Sequence, residues 1–121
     1  MENALPNAKI CRLDSLYPTY QFDIEAEQSA ILDADVIVFQ FPFSWYSVPC
    51  LMELRIDKIF IHGFAHGSMA KIGSKKLIIS TTAGAPAEIY QKDGFSNIPW
   101  KTICHNLKPS RHYTAWNTYR Q

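Results

Sequence analysis

The segment that most constrains this chain runs from Ala34 to Pro49. Val36-Ile37-Val38-Phe39 is a nearly unbroken apolar run, too short for a comfortable helix and rich in β-branched residues. Such a run predicts a strand buried on both faces, as inside a parallel sheet. Gln40 to Ser47 should break it, because Pro42 has no N–H to give to a ladder. That break leaves Phe43, Trp45 and Tyr46 crowded on one loop. Pro49 suits the first position of a following helix, with Ser47 as a cap. Met52, Ile56, Ile59 and Phe60 then recur at helical spacing as a buried stripe. The unit is therefore strand, aromatic loop, helix. In α/β sheets, ligands bind at loops on the carboxyl ends of strands.

The aromatic loop has two readings. One is a hydrophobic cluster that closes the end of a sheet. The other is a platform for a planar ligand, with backbone N–H groups near the ligand's polar edge. Spacing leaves both open.

A chain of 121 residues is one domain, long enough for a real core. The formal net charge of +1 comes with no basic face or charge run, which argues against nucleic acid and anionic membranes. No stretch approaches the roughly 20 apolar residues of a membrane span. Met1 to Ala4 lacks the features of a signal peptide. The three cysteines, Cys11, Cys50 and Cys104, are odd in number and scattered, which argues against a disulfide framework. A cytoplasmic location is expected.

Ala8 to Leu13 alternates apolar and polar residues and predicts a short strand near a sheet edge. Asp14 to Gln21 is a loop containing Pro18, with Tyr17 and Tyr20 available to pack. Asp23 is a good N-cap for a helix from Ile24 to about Leu32, and Glu25 and Glu27 suit its first turn. Ile24, Ile31 and Leu32 should supply its buried stripe. Ile61 to Ser68 is a loop with two glycines. Lys75 to Thr82 predicts a second buried parallel strand, and Thr81 to Pro86 is again small and polar at a carboxyl strand end. A further helix is expected from Pro99 or Trp100 to about Asn106, limited by Pro109.

Phe39 to Pro49, followed by Ile56-Asp57-Lys58-Ile59-Phe60 and Gly63-Phe64-Ala65-His66-Gly67, resembles the flavodoxin-like NAD(P)H:quinone oxidoreductases. These include DT-diaphorase, the modulator-of-drug-activity proteins and the ancillary flavoproteins of potassium-efflux systems. The resemblance runs from about Leu5 to about Trp116. It implies one three-layer, flavodoxin-like α/β domain over residues 1–121, with a parallel sheet that is incomplete. The first strand with its phosphate loop is missing. The last strand is missing too, or represented only by Trp116 to Tyr119.

The resemblance also implies a flavin cofactor, FAD ahead of FMN, with NAD(P)H as co-substrate and a quinone-like acceptor. Pro42, Phe43, Ser44, Trp45 and Tyr46 would line the flavin ring, and Thr81, Thr82, Ala83 and Gly84 would lie along its pyrimidine side. Tyr90 matches a tyrosine that assists the charge developing there. The histidine that accompanies it in relatives falls near Ser96 or Asn97 and is not present. Leu54-Arg55 stands where many relatives carry Gly-Trp, which puts an arginine on a face expected to pack. A homodimer is implied, and a protein partner is possible. The rival from another class is a non-catalytic, partner-binding subunit or remnant.

The other polar groups have plain structural readings. His62 and His66 stand four apart, but Gly63 and Gly67 disfavour a helix there and no third ligand completes a metal set. No metal is expected. Cys104 and His105 are adjacent and would not face each other on a helix. Asp57-Lys58 reads as a solvated helix face, and Lys75-Lys76 as the charged entry to a strand.

Overall fold

The apolar run forms a strand, and the periodic segments on either side of it form helices. The structure, a computed structural model, describes residues 7–95 and 116–118. In chain order the elements are α1 (Leu13–Leu16), α2 (Ile24–Asp33), β1 (Val36–Pro42), α3 (Cys50–Ile59), β2 (Lys76–Thr82) and β3 (Trp116–Thr118). β1 and β2 run parallel, with Val36 opposite Lys76 and Pro42 opposite Thr82. β3 pairs parallel on the other side of β2, with Leu77 opposite Trp116. The strand order is β1-β2-β3, so β1 is the edge of the sheet among the described residues.

Burial alternates along β1, which corrects the expectation of a strand buried on both faces. Ile37, Phe39 and Phe41 are buried, whereas Val36 and Val38 are 42% and 44% exposed. Leu77 and Ile79, in register with Ile37 and Phe39, are buried on the same face. They join Ile31, Met52 and Ile59 from α2 and α3 in one core. Among the described residues the helices thus cover one face of the sheet, and a run apolar on both faces does not reveal that.

The strand does not break at Gln40; it runs on through Pro42, its last residue. The ladder's phase explains this. Lys76 N–H donates to Asp35 O and Phe43 N–H donates to Thr82 O, so the odd-numbered residues of β1 turn their backbone groups toward β2. The N–H that Pro42 lacks would have pointed away from β2.

Two further expectations change, and one left open is decided. Ala8 to Leu13 is not a strand: residues 8–12 have no regular structure and Leu13–Leu16 is one turn of α1. Alternation predicts a strand only where a partner edge exists, and no described strand pairs there. Of the two alternatives for the last strand, representation by Trp116 to Tyr119 holds, as the short β3. In α2, Ile31 is buried, but Ile24 and Leu32 are more than a third exposed. The expected helix from Pro99 or Trp100 lies outside the described residues.

Other local readings hold. Asp23 caps α2, its Oδ1 accepting from Ala26 N–H at 3.0 Å. In α3, Met52 and Ile59 are buried, with Ile56 and Phe60 packed beside them. Helix α3 begins one residue later than expected, with Pro49 as its N-cap and no side-chain cap from Ser47.

The buried place left by Ile24 and Leu32 is taken by Glu27. Its Oε2 accepts from Arg55 Nε at 2.8 Å and lies 2.6 Å from Arg55 Nη2. Its Oε1 accepts from the Tyr17 hydroxyl at 2.8 Å. The Arg55 guanidinium also sits 5.6 Å from the Phe39 ring centre and 5.9 Å from that of Phe60. One charged cluster therefore ties the segment after α1 to α2, α3 and β1. The arginine on the packed face is explained by its partner 28 residues earlier.

Two outcomes follow from this cluster. Arg55→Met leaves the Glu27 carboxylate buried without its cation and should cost about 3–5 kcal/mol in denaturant unfolding. The double variant Glu27→Leu/Arg55→Met should recover most of that loss. Burial, then the bond and charge of Glu27, push the Tyr17 hydroxyl up from 10.0 to about 12. The unfolded chain therefore ionises first. The stabilisation is full below pH 10.0 and is lost as pH climbs toward about 12. In Tyr17→Phe, that alkaline decline in melting temperature should shrink.

Candidate functional site

Parallel pairing sets the carboxyl ends of β1 and β2 side by side. The ladder continues one step past Pro42, because Phe43 N–H donates to Thr82 O at 2.7 Å. The chain after β1 then folds back sharply. Ser47 N–H donates to Ser44 O at 3.0 Å and Ser44 N–H to Ser47 O at 3.4 Å, closing a two-residue turn. Its central residues, Trp45 and Tyr46, have φ of 50° and 60°. Turns with two left-handed central residues normally use Asn-Gly, because a Cβ is disfavoured there. Here two bulky aromatic residues occupy both positions.

The turn brings three rings together. Phe43 lies 6.0 Å from Tyr46 and 5.6 Å from Tyr90, and Tyr46 lies 6.4 Å from Tyr90. All three pairs meet at steep angles, between 72° and 90°, as aromatic quadrupoles favour. Tyr90 arrives from the other strand: it ends the single 3-10 turn Ala87–Tyr90 that follows Pro86, beyond β2. Trp45 does not join the cluster. Its side chain is 92% exposed.

Of the residues singled out in the sequence, the fold gathers Phe43, Tyr46 and Tyr90, and places Pro42 and Thr82 in register beneath them. Thr81 is half-buried, with its hydroxyl 3.4 Å from Thr82 O. Thr82, Ala83 and Gly84 are exposed on the neighbouring loop. Ser44 contributes its backbone to the turn. Ser96 and Asn97 lie outside the described residues. The left-handed pair was invisible in the sequence, since neither glycine nor asparagine marks it.

His62 and His66 face each other in the loop after α3, with ring centres 5.4 Å apart. The His62 ring occupies the space over Gly67, where an added Cβ would meet Nε2 at 2.5 Å. Among the described residues, no group of three or more His, Cys, Asp or Glu converges as a metal site would require. No helix of the described residues is long and apolar enough to cross a membrane.

The flavodoxin-like fold family matches residues 2–115. Among solved structures, the chain is similar to general stress protein 14 of Treponema denticola in complex with FMN. That match has a TM-score of 0.83 and 28% identity, and covers 88% of this chain and 62% of that one. A structure named as a thermophilic tryptophan halogenase from Streptomycin violaceusniger matches with a TM-score of 0.86 and 29% identity, covering 96% of this chain and 71% of that one. A Klebsiella pneumoniae structure assigned as a quinone reductase matches with a TM-score of 0.63 and 30% identity, covering 78% of this chain and 42% of that one. The chain thus spans less than two thirds of the length of the Treponema and Klebsiella proteins.

Strain at Trp45 has a measurable signature. A non-glycine residue in the left-handed region costs roughly 1–2 kcal/mol, and the exposed indole gains little packing in return. Trp45→Gly should leave the fold at least as stable, with a gain of up to about 1 kcal/mol in denaturant unfolding. A clear loss of stability would show that the indole serves the fold itself.

Proposed function

The chain belongs to the flavodoxin-like fold family, with the quinone reductase type of that fold, and from that premise we propose that it is an NAD(P)H-dependent flavin oxidoreductase acting on quinones or similar acceptors. The observation that carries this reading is the turn at Trp45 and Tyr46. It spends backbone strain to present an indole to solvent beside a ring cluster, at the carboxyl end of a parallel sheet. A cluster that merely closed the sheet would bury that ring. A planar ligand gives the exposure a purpose.

The residues present fit the ring of a flavin. Pro42 to Tyr46 would hold one face of it through stacking and backbone groups. Thr81, Thr82, Ala83 and Gly84 would lie along a polar edge, where small side chains permit close approach. The Tyr90 hydroxyl would donate a hydrogen bond to charge developing at that edge. When bound, a flavin would supply the hydride-transfer chemistry between NAD(P)H and the acceptor. The protein's part is to orient the ring, to shield one face from water, and to hold a proton at the Tyr90 oxygen. Support comes from the FMN held by the Treponema protein and from the assignment of the Klebsiella one. Because one fold hosts many activities, the differing names of the similar structures make the site the deciding feature.

The test is titration of FMN and FAD into the purified chain, followed by flavin fluorescence, with NAD(P)H oxidation measured against a soluble quinone. Trp45→Ala should weaken flavin binding by about 0.5–1.5 kcal/mol, plus the lost burial. Tyr90→Phe should lower turnover by roughly tenfold or more while leaving affinity nearly unchanged. A flavin dissociation constant untouched by Trp45→Ala would overturn the platform.

A further inference from the structure

Tyr90 stands on a slender support. It ends a single 3-10 turn of four residues, Ala87–Tyr90, a conformation whose hydrogen bonds are poorly aligned and which is used only in short pieces. Ile89 N–H donates to Pro86 O at 3.1 Å and Gln91 N–H to Glu88 O at 3.4 Å. Ile89 and Tyr90 are half-buried and stand outside the core that joins β1, β2, α2 and α3. A hydroxyl on such a turn keeps its place only if other contacts brace it.

Two contacts do so. The first is aromatic: Phe43 and Tyr46 meet the Tyr90 ring at 5.6 and 6.4 Å, both edge to face. The second is Gly94. After Tyr90 the chain turns back on itself, with Gly94 N–H donating to Gln91 O at 3.0 Å. Gly94 then lies directly on the 3-10 turn: a Cβ added to it would stand 2.3 Å from Glu88 O and 2.5 Å from Ile89 O. Both are backbone atoms, which cannot swing aside as the end of a side chain can. Only a residue without a Cβ fits so close to them. Gly73 and Gly84 show the contrast, since a Cβ at either meets nothing within 4 Å.

We propose that Gly94 is the positioning residue for Tyr90. Lying against the Glu88 and Ile89 carbonyls, it fixes the 3-10 turn relative to the Phe43 and Tyr46 rings, and with it the place of the Tyr90 hydroxyl. Any side chain at position 94 must move Glu88 and Ile89, and Tyr90 is the next residue. The role rests on the flavin reading of the site, in which that hydroxyl donates to charge developing on the ring. Such donation is set by geometry: a misplacement of about 1 Å can cost roughly a hundredfold in rate. Gly94 acts through Tyr90 alone, so the loss on enlarging it is bounded by the loss on removing the Tyr90 hydroxyl.

The test compares Gly94→Ala, Tyr90→Phe and their double variant in the full 121-residue chain, with Gly73→Ala as control. Two readouts are taken. One is flavin-dependent NAD(P)H oxidation against a soluble quinone; the other is the NMR signal of the Tyr90 ring in the ligand-free chain, isotopically labelled at tyrosine. Gly94→Ala should lower kcat by roughly tenfold, no further than Tyr90→Phe does, with KM and the flavin dissociation constant unchanged. In the Tyr90→Phe background it should lower kcat no further. The Tyr90 signal should move in Gly94→Ala, as its offset from the Phe43 and Tyr46 rings changes, while Gly73→Ala alters neither readout. An additive loss in the double variant would overturn the proposal, and so would a Tyr90 signal that stays in place. Loss of the cooperative melt in Gly94→Ala would overturn it as well, since Gly94 would then serve the whole fold. Failure of the flavin reading looks different: Tyr90→Phe leaves turnover intact, or no flavin binds, while the Tyr90 signal still moves in Gly94→Ala. That outcome keeps Gly94 as the brace of Tyr90 and removes the role of the hydroxyl.

Discussion

The structure depends on the parallel register between β1 and β2. Setting Pro42 opposite Thr82 puts both carboxyl ends at one level, and the bond from Phe43 N–H to Thr82 O carries that alignment into the loops. Every feature of the candidate site follows. The turn at Trp45 and Tyr46 springs from one strand and Tyr90 from the other, and their rings meet only because the two ends coincide. A slip of one residue would move Ile37, Phe39 and Phe41 off the core face and separate the rings. The packing of these three residues against α2 and α3 is what forbids the slip.

The helical layer is locked by less ordinary means. An apolar stripe on α2 would have been enough to bind it to the core, yet Glu27 occupies the centre of that stripe and Arg55 the facing position on α3. The pair is tolerable because both carboxylate oxygens are bonded and two aromatic rings receive the guanidinium. Such a cluster adds directionality that apolar contacts lack, fixing how α3 sits over β1. The carbonyls at the ends of these helices are held in the same spirit. Gln28 Nε2 donates to Ile59 O at 3.0 Å, and Lys75 Nζ donates to Leu32 O.

Much of this was legible in the sequence, and the misses have physical causes. The run at Val36, the cap at Asp23 and the stripe of Met52 and Ile59 declared β1, α2 and α3 because local propensity and tertiary packing agree there. The bareness of Val36 and Val38 was hidden, since an apolar residue reads the same whether a helix covers it or not. Ala8 to Leu13 has strand alternation without a strand, because pairing is a property of two segments and no described strand pairs there. Pro42 misled for a related reason: its missing N–H breaks a ladder only when it faces a neighbour. Resemblance pointed to Tyr90 and the aromatic loop, and the fold brings their rings together. The left-handed pair at Trp45 and Tyr46 carried no signal, as no propensity favours it; conflicts between local preference and structure concentrate at functional or strained sites.

The central claim is that the loops at the shared carboxyl end of β1 and β2 hold the ring of a flavin. Amide chemical shifts of the isotopically labelled chain, recorded while FMN is added, test it most directly. Shifts concentrated at residues 43–47, Thr81 to Gly84 and Tyr90 are the predicted result. Shifts centred instead on the His62–Met69 loop, or none at millimolar FMN (about −4 kcal/mol of binding or weaker), would contradict it.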